Sequence, residues 1–190
     1  MKVRLTQEDL LAAVNTSVPD VIAPHLKVLF CGINPGLYTA AIGCHFGRPG
    51  NRFWKALYLA GFTPRLFVPQ EQDRLLELRY GITNLVNRAT VSAAELSTEE
   101  FVLGGEKLGE KVRDYAPEWV ALLGIDAYRK AFRQPKATLG LQAATLEKTH
   151  LWVLPNPSGL NAHYNQQQLG DLFREFHETV EGREGPASPF

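Results

Sequence analysis

Residues 26–36, "LKVLFCGINPG", decide the fold. Leu26 to Ile33 is a short apolar run that ends around a glycine, the pattern of a strand buried on both faces. Gly32, Pro35 and Gly36 then turn the chain sharply, with a polar Asn34 set between Ile33 and Pro35. As local structure this is a turn in which Asn34 bonds its own backbone. As a site it is the rim of a crevice, because open α/β sheets bind ligands at the carboxyl ends of their strands.

Two further apolar runs, 119–123 ("WVALL") and 151–154 ("LWVL"), read as strands. Helices are expected at 6–14 with Thr6 as N-cap, at 51–60 with Asn51 as N-cap and Gly61 as stop, and from near Pro69. Others are expected at 97–115, opened by the Ser97/Glu100 capping box, at 125–132 and at 165–180. Gly104, Gly105 and Gly109 either weaken the 97–115 helix or mark close packing. Residues 37–50, with several glycines and a proline, are expected as a loop. Short strands alternating with helices give an α/β fold, a three-layer α/β/α stack around a short, mostly parallel sheet of about four strands. Residues 1–180 read as a single domain, with 1–25 as a helical N-terminal extension and 181–190 as a disordered tail.

Composition narrows the function. Twenty basic and twenty acidic residues give zero formal charge among 190, against a broad basic binding face but not against a local one. Two cysteines, Cys31 and Cys44, are too few for a four-cysteine cluster or a disulfide framework, and read as reduced thiols. No Gly-Lys-Ser/Thr follows the first turn and no G-x-G-x-x-G spacing occurs, so no nucleotide cofactor is indicated. No histidine–cysteine–glutamate constellation suggests a metal. No apolar run approaches the ~18 residues of a membrane span, and the charged N-terminus lacks a signal core. The expected setting is the cytoplasm.

A second segment, "LPNPSGLNAHY" (154–164), follows the last strand. Its prolines, serine and glycine form a stiff turn with Leu160 at the tip. That leucine either packs back on the last helix or serves as a wedge between stacked bases.

The pair of segments, Gly-Ile-Asn-Pro-Gly at 32–36 and Asn-Pro-Ser-Gly-Leu at 156–160, resembles the uracil-DNA glycosylase superfamily, and within it the mismatch-specific uracil/thymine branch. The segments "NRFWKALYLAGFTP" (51–64) and "YGITNLV" (80–86) share the likeness, which covers roughly residues 26–180. It implies a monofunctional glycosylase of bacterial type, working as a monomer on double-stranded DNA that carries uracil mispairs, with no cofactor and no metal. Such an enzyme extrudes the nucleotide from the duplex before cutting. The resemblance assigns water orientation to Asn34 and donation to the leaving uracil to Asn156, where a faster branch has histidine. Phe46 would stack on the flipped base, and Ile33, Gly36, Tyr38 and Asn84 would read its edge. Ser158, Gly159, Leu160, Asn161 and His163 would form the wedge and its DNA contacts. Arg52 joins them, among scattered cations that include Arg48, Lys55, Arg65 and Arg88. Three departures stand out: Ala162 where a relative carries arginine, Asn87 for aspartate and Asn84 for lysine. Two other readings remain open at this point: a relative with a different base or single-strand preference, and a non-catalytic module that binds damaged nucleic acid.

Overall fold

The computed structural model describes residues 5–182; the segment 183–190, and with it most of the expected tail, lies outside the described residues. The central sheet has five strands: β1 (Val28–Gly32), β2 (Tyr80–Asn84), β3 (Trp119–Leu123), β4 (Gly140–Leu146) and β5 (Thr149–Leu154), in the order β2-β1-β3-β5-β4. Four of them are parallel, and β4 runs antiparallel to β5 at the edge. The α/β reading holds, with one strand more than expected.

Strand alternation builds two cores. Phe30, Ile82, Ala121, Leu123, Trp152 and Leu154 face one side, against α3 (Phe53–Ala60) and α6 (Gln166–Val180), whose Phe173 and Phe176 are fully buried. Leu29, Cys31, Val120, Leu122, Leu151 and Val153 face the other, against α4 (Thr98–Tyr115) and α5 (Ile125–Ala131). Both faces are covered, which is why the inner strands read as continuous apolar runs.

Two strands escaped the pattern for physical reasons. In β2, "YGITN" carries a glycine and two polar residues, yet all five are buried. Gly81 is tight against the chain, since a Cβ there would lie 2.4 Å from the Val21 carbonyl. Thr83 donates to Asp20 at 2.8 Å, and Lys111 donates to Thr83 at 2.7 Å. β4 is an edge hairpin strand, mostly solvent-facing, with little apolar content to announce it.

Other differences sit near the site. The expected 37–50 loop opens with a short helix, α2 (Leu37–Ile42), between Gly36 and the left-handed Gly43 (φ 66°). The turn of helix from Pro69 is 3₁₀ in type and ends at Leu78. Arg52, not Asn51, is the N-cap position of α3, although Asn51 Oδ1 still accepts the Phe53 amide at 2.9 Å. Gly104 and Gly105 resolve to close packing, as a Cβ would meet the Leu85 carbonyl at 2.5 Å and the Ala131 carbonyl at 2.9 Å. The chain before β1 is α1 (Gln7–Ala12) and a strap, in which Asn15 and Thr16 exchange backbone bonds with Ala89 and Val21 bridges Ile82. An Asp20–Lys111 ion pair at 2.6 Å ties the strap to α4. Cys31 and Cys44 are free thiols, and burial pushes the Cys31 thiol up to about 12. Among the described residues no helix is long and apolar enough to cross a membrane.

Candidate active site

The carboxyl ends of β1, β2, β3 and β5 share one edge of the sheet. A cleft of about 820 Å³ opens there. It is lined by the 32–36 turn, Asn84, the loop through Thr90–Ala93, the 123–127 corner and the 155–161 turn, with His45, Phe46 and Arg48 along one side. The two segments separated by some 120 residues therefore meet, as their positions at strand ends require.

Asn34 is fixed by its own donors. Its Nδ2 donates to the Arg88 carbonyl at 2.8 Å and to Thr90 Oγ1 at 2.8 Å. The Thr90 hydroxyl spends its proton on the Ser92 carbonyl at 2.9 Å, so it can only accept from Asn34. Both partners demand the amide nitrogen, and Oδ1 is left as the acceptor this side chain offers to the cleft. The partner segment is clamped as well. Thr90 N donates to the Pro35 carbonyl at 3.2 Å, and the Arg88 guanidinium pairs with Glu100 at 2.8 Å and with Asn15 Oδ1 at 3.0 Å. Hydrogen bonds from Arg88, and then from the Ser97 amide, hold the Glu100 carboxyl down at about 2.

Asn156 is held the opposite way. Its Oδ1 accepts the Ser158 amide at 3.0 Å, and its Nδ2 donates to no partner among the described residues. The turn beyond it is braced by Arg52, whose guanidinium donates to the carbonyls of Ser158 and Asn161 at 2.9 Å each and to that of Tyr164. Ser158 Oγ accepts the Leu160 amide at 3.2 Å. Gly159 cannot carry a side chain, as a Cβ would lie 2.6 Å from the Gly50 carbonyl. Leu160 at the tip is 74% exposed, so it does not pack back on α6.

Phe46 forms an aromatic wall. It adopts φ 53°, a left-handed conformation that bulky residues rarely occupy and that clusters at functional sites. Its ring stacks on Phe53 with centroids 4.0 Å apart. Asn84 is 7% exposed and sits beside it; Gly32 allows the approach, because a Cβ there would meet Asn84 Oδ1 at 2.5 Å and Phe46 at 3.2 Å.

Most expected site residues converge on the cleft: Ile33, Asn34, Gly36, Phe46, Asn84, Asn156, Ser158, Leu160, Asn161 and His163 all line it. Tyr38 does not; α2 turns Thr39 to the cleft in its place. Arg52 is turned inward as the brace just described instead of facing DNA. Arg65 and Arg88 are likewise engaged, with Glu71 and Glu100, while Arg48 faces the cleft. Thr90 and the Arg88 carbonyl were missed. Their signal is tertiary, a parallel bridge between Gly36 and Thr90, and no spacing in the chain announces it. Asp126 is the only carboxylate among the lining residues, 3.3 Å from Arg129. No cluster of three or more potential metal ligands forms among the described residues.

The family model described as "Uracil DNA glycosylase superfamily" matches residues 19–180, and the chain belongs to that superfamily. Membership supports a DNA glycosylase role, a hydrolase acting on DNA. The fold is similar to the solution NMR structure of a "putative Uracil DNA glycosylase" from Methanosarcina acetivorans, with TM-score 0.55 and 18% identity, over 88% of this chain and 99% of that one.

Proposed function

We propose that this protein is a mismatch-specific uracil-DNA glycosylase, monofunctional and monomeric, that flips uracil out of G·U mispairs and hydrolyses its glycosidic bond to begin base excision repair. The observation that carries this reading is the orientation of Asn34. A side chain whose donors are spent and whose oxygen is offered to a cleft can hold a water but cannot strongly deprotonate it. That suits a substrate whose leaving group departs as a stable anion, so that the sugar resembles an oxocarbenium ion before water attacks. The rate is expected to be modest, since a positioned general base contributes roughly 10²–10⁴-fold where one is present.

The remaining roles follow from the wall each residue occupies. Phe46 stacks on the extruded pyrimidine, and Asn84 bonds its edge. Asn156 donates from Nδ2 to the uracil oxygen as charge develops there. Leu160 fills the gap left in the duplex, and a mispaired base is cheaper to extrude than a paired one. Arg48 and His163, which line the cleft, contact phosphates of the bound duplex.

The test is a panel of oligonucleotides carrying G·U, A·U, G·T and single-stranded U, incubated with the protein and then treated with alkali to cut abasic sites. Strand breaks at G·U, fewer at A·U, are the expected result. No breaks on any substrate would refute catalysis and leave a binding module. Equal breaks on single-stranded and mispaired uracil would refute mismatch preference.

A further inference from the structure

His45 is 1% exposed and takes no part in the roles above, yet it touches one of the residues that does. Its Nε2 lies 2.8 Å from the Pro19 carbonyl. A carbonyl only accepts, so Nε2 carries the proton, and in a neutral ring Nδ1 is then an acceptor. Nδ1 faces Asn84 Nδ2 at 3.4 Å. The Asn84 amide must therefore present its nitrogen to His45. Its oxygen falls over the bare Cα of Gly32, beside the Phe46 ring, and accepts no hydrogen bond among the described residues.

We propose that His45 is a positioning residue for base choice: by locking Asn84 with its oxygen toward the cleft, it makes the site accept the imide edge of uracil and refuse the edge of cytosine. This rests on the reading of Asn84 as a contact to the base. Uracil offers an N3–H donor beside the O4 acceptor, which matches Oδ1 and the second Nδ2 hydrogen. Cytosine offers an N3 acceptor beside N4–H donors, which opposes both. A carboxamide free to turn over would serve either base equally. Discrimination needs something that breaks this symmetry, and a neutral histidine anchored on a backbone carbonyl does so.

The ring is well held. Its backbone N–H donates to Gln72 Oε1 at 2.8 Å, and its carbonyl accepts Trp54 Nε1 at 3.2 Å. The charged groups near it are Asp20 and Lys111, whose 2.6 Å pairing largely cancels their fields. Burial lowers the His45 pKa from its usual value, which keeps the ring neutral near pH 7.

The experiment compares single-turnover excision of 5-fluorouracil and 5-fluorocytosine from one mispaired oligonucleotide context. Fluorine improves both leaving groups and so brings both rates within reach. His45→Gln keeps a donor for the Pro19 carbonyl but leaves no acceptor at the Nδ1 position that faces Asn84. His45→Asn places a carboxamide beside Asn84 in place of Nδ1. Expected is a fall of at least about tenfold in the uracil-to-cytosine ratio for His45→Gln, roughly the worth of one buried hydrogen bond, with partial recovery in His45→Asn. An unchanged ratio in His45→Gln overturns the proposal. Asn84→Ala separates the two levels: if it too leaves the ratio unchanged, the reading of Asn84 as a base contact has failed, whereas a collapse in Asn84→Ala alone overturns only the role of His45. Should the His45 variants not fold, nitrogen-15 NMR of the wild-type ring decides, since the proposal requires the Nε2–H tautomer and a proton on Nδ1 overturns it.

Discussion

The two Asn-Pro turns, at the ends of β1 and β5, look alike in sequence and are wired in opposite senses. Asn34 gives its amide hydrogens to Arg88 and Thr90 and keeps an oxygen for the cleft. Asn156 gives its oxygen to Ser158 and keeps its hydrogens. One presents an acceptor and the other a donor. The difference teaches that residue type alone does not decide what an asparagine presents to a cleft; the partner that uses up one end of the amide does. The first wiring suits orientation of a nucleophilic water, the second stabilisation of a departing anion.

The largest effect should come from breaking the first turn's wiring. Asn34→Ala is expected to lower single-turnover uracil excision by about 10³-fold or more while DNA affinity stays nearly intact, because positioning of the attacking water is lost. Activity within about threefold of the parent would remove Asn34 from its role. Asn34→Asp sharpens the comparison. A carboxylate has no hydrogens for the Arg88 carbonyl, so the substitution should fail to act as an installed general base and should also lower the melting temperature.

At Asn156 the same exchange should behave differently. Asn156→Asp keeps an oxygen for the Ser158 amide, so the turn and the melting temperature should survive. The donors to the leaving base are gone, and removal of one such donor costs roughly 10²–10³-fold. A loss near the low end, about 10², is expected from single-turnover rates near neutral pH. If Asn156→Asp retained full activity, the opposition between the two turns would be structural only.

How far these turns could be read in the chain differs with the distance of their partners. Asn156 bonds two residues ahead, and the stiff "NPSG" spacing made that turn legible. Asn34 is held from a segment more than fifty residues away, and nothing local to "GINPG" marks Thr90. The same contrast runs through the fold. β1, β3 and β5 were legible because burial on both faces demands apolar runs, while β2 hides a buried Thr83 and Asn84 whose polar partners, Asp20, Lys111 and His45, come from distant segments. Arg52 was legible as a cation but not as a brace, because only the folded turn shows where its carbonyl partners converge.

Thr90 gives the next smaller effect. Thr90→Val preserves shape and deletes one of the two short acceptor contacts, at 2.8 Å each, that orient Asn34. A loss of about fivefold in excision is expected, in line with about 1 kcal/mol for one hydrogen bond. Thr90→Ser, which restores the hydroxyl, should return to within about twofold. A Thr90→Val enzyme as fast as the parent would mean that the Arg88 and Pro35 carbonyls hold the amide without it.

The smallest effect on chemistry should come from the tip of the second turn. Leu160 is 74% exposed and contributes little to the core, so Leu160→Ala should shift stability by no more than about 0.5 kcal/mol. If the side chain occupies the space vacated by the flipped base, its loss should slow excision from duplex DNA several-fold and leave single-stranded uracil almost untouched. Equal slowing on both substrates would argue against insertion. The turn itself should persist in this variant, since Arg52 holds it through backbone carbonyls that the substitution does not alter. A selective duplex defect would then belong to the missing isobutyl group and not to a collapsed loop. It would also set the two turns apart once more, one acting on the bond that breaks and the other on the helix it is taken from.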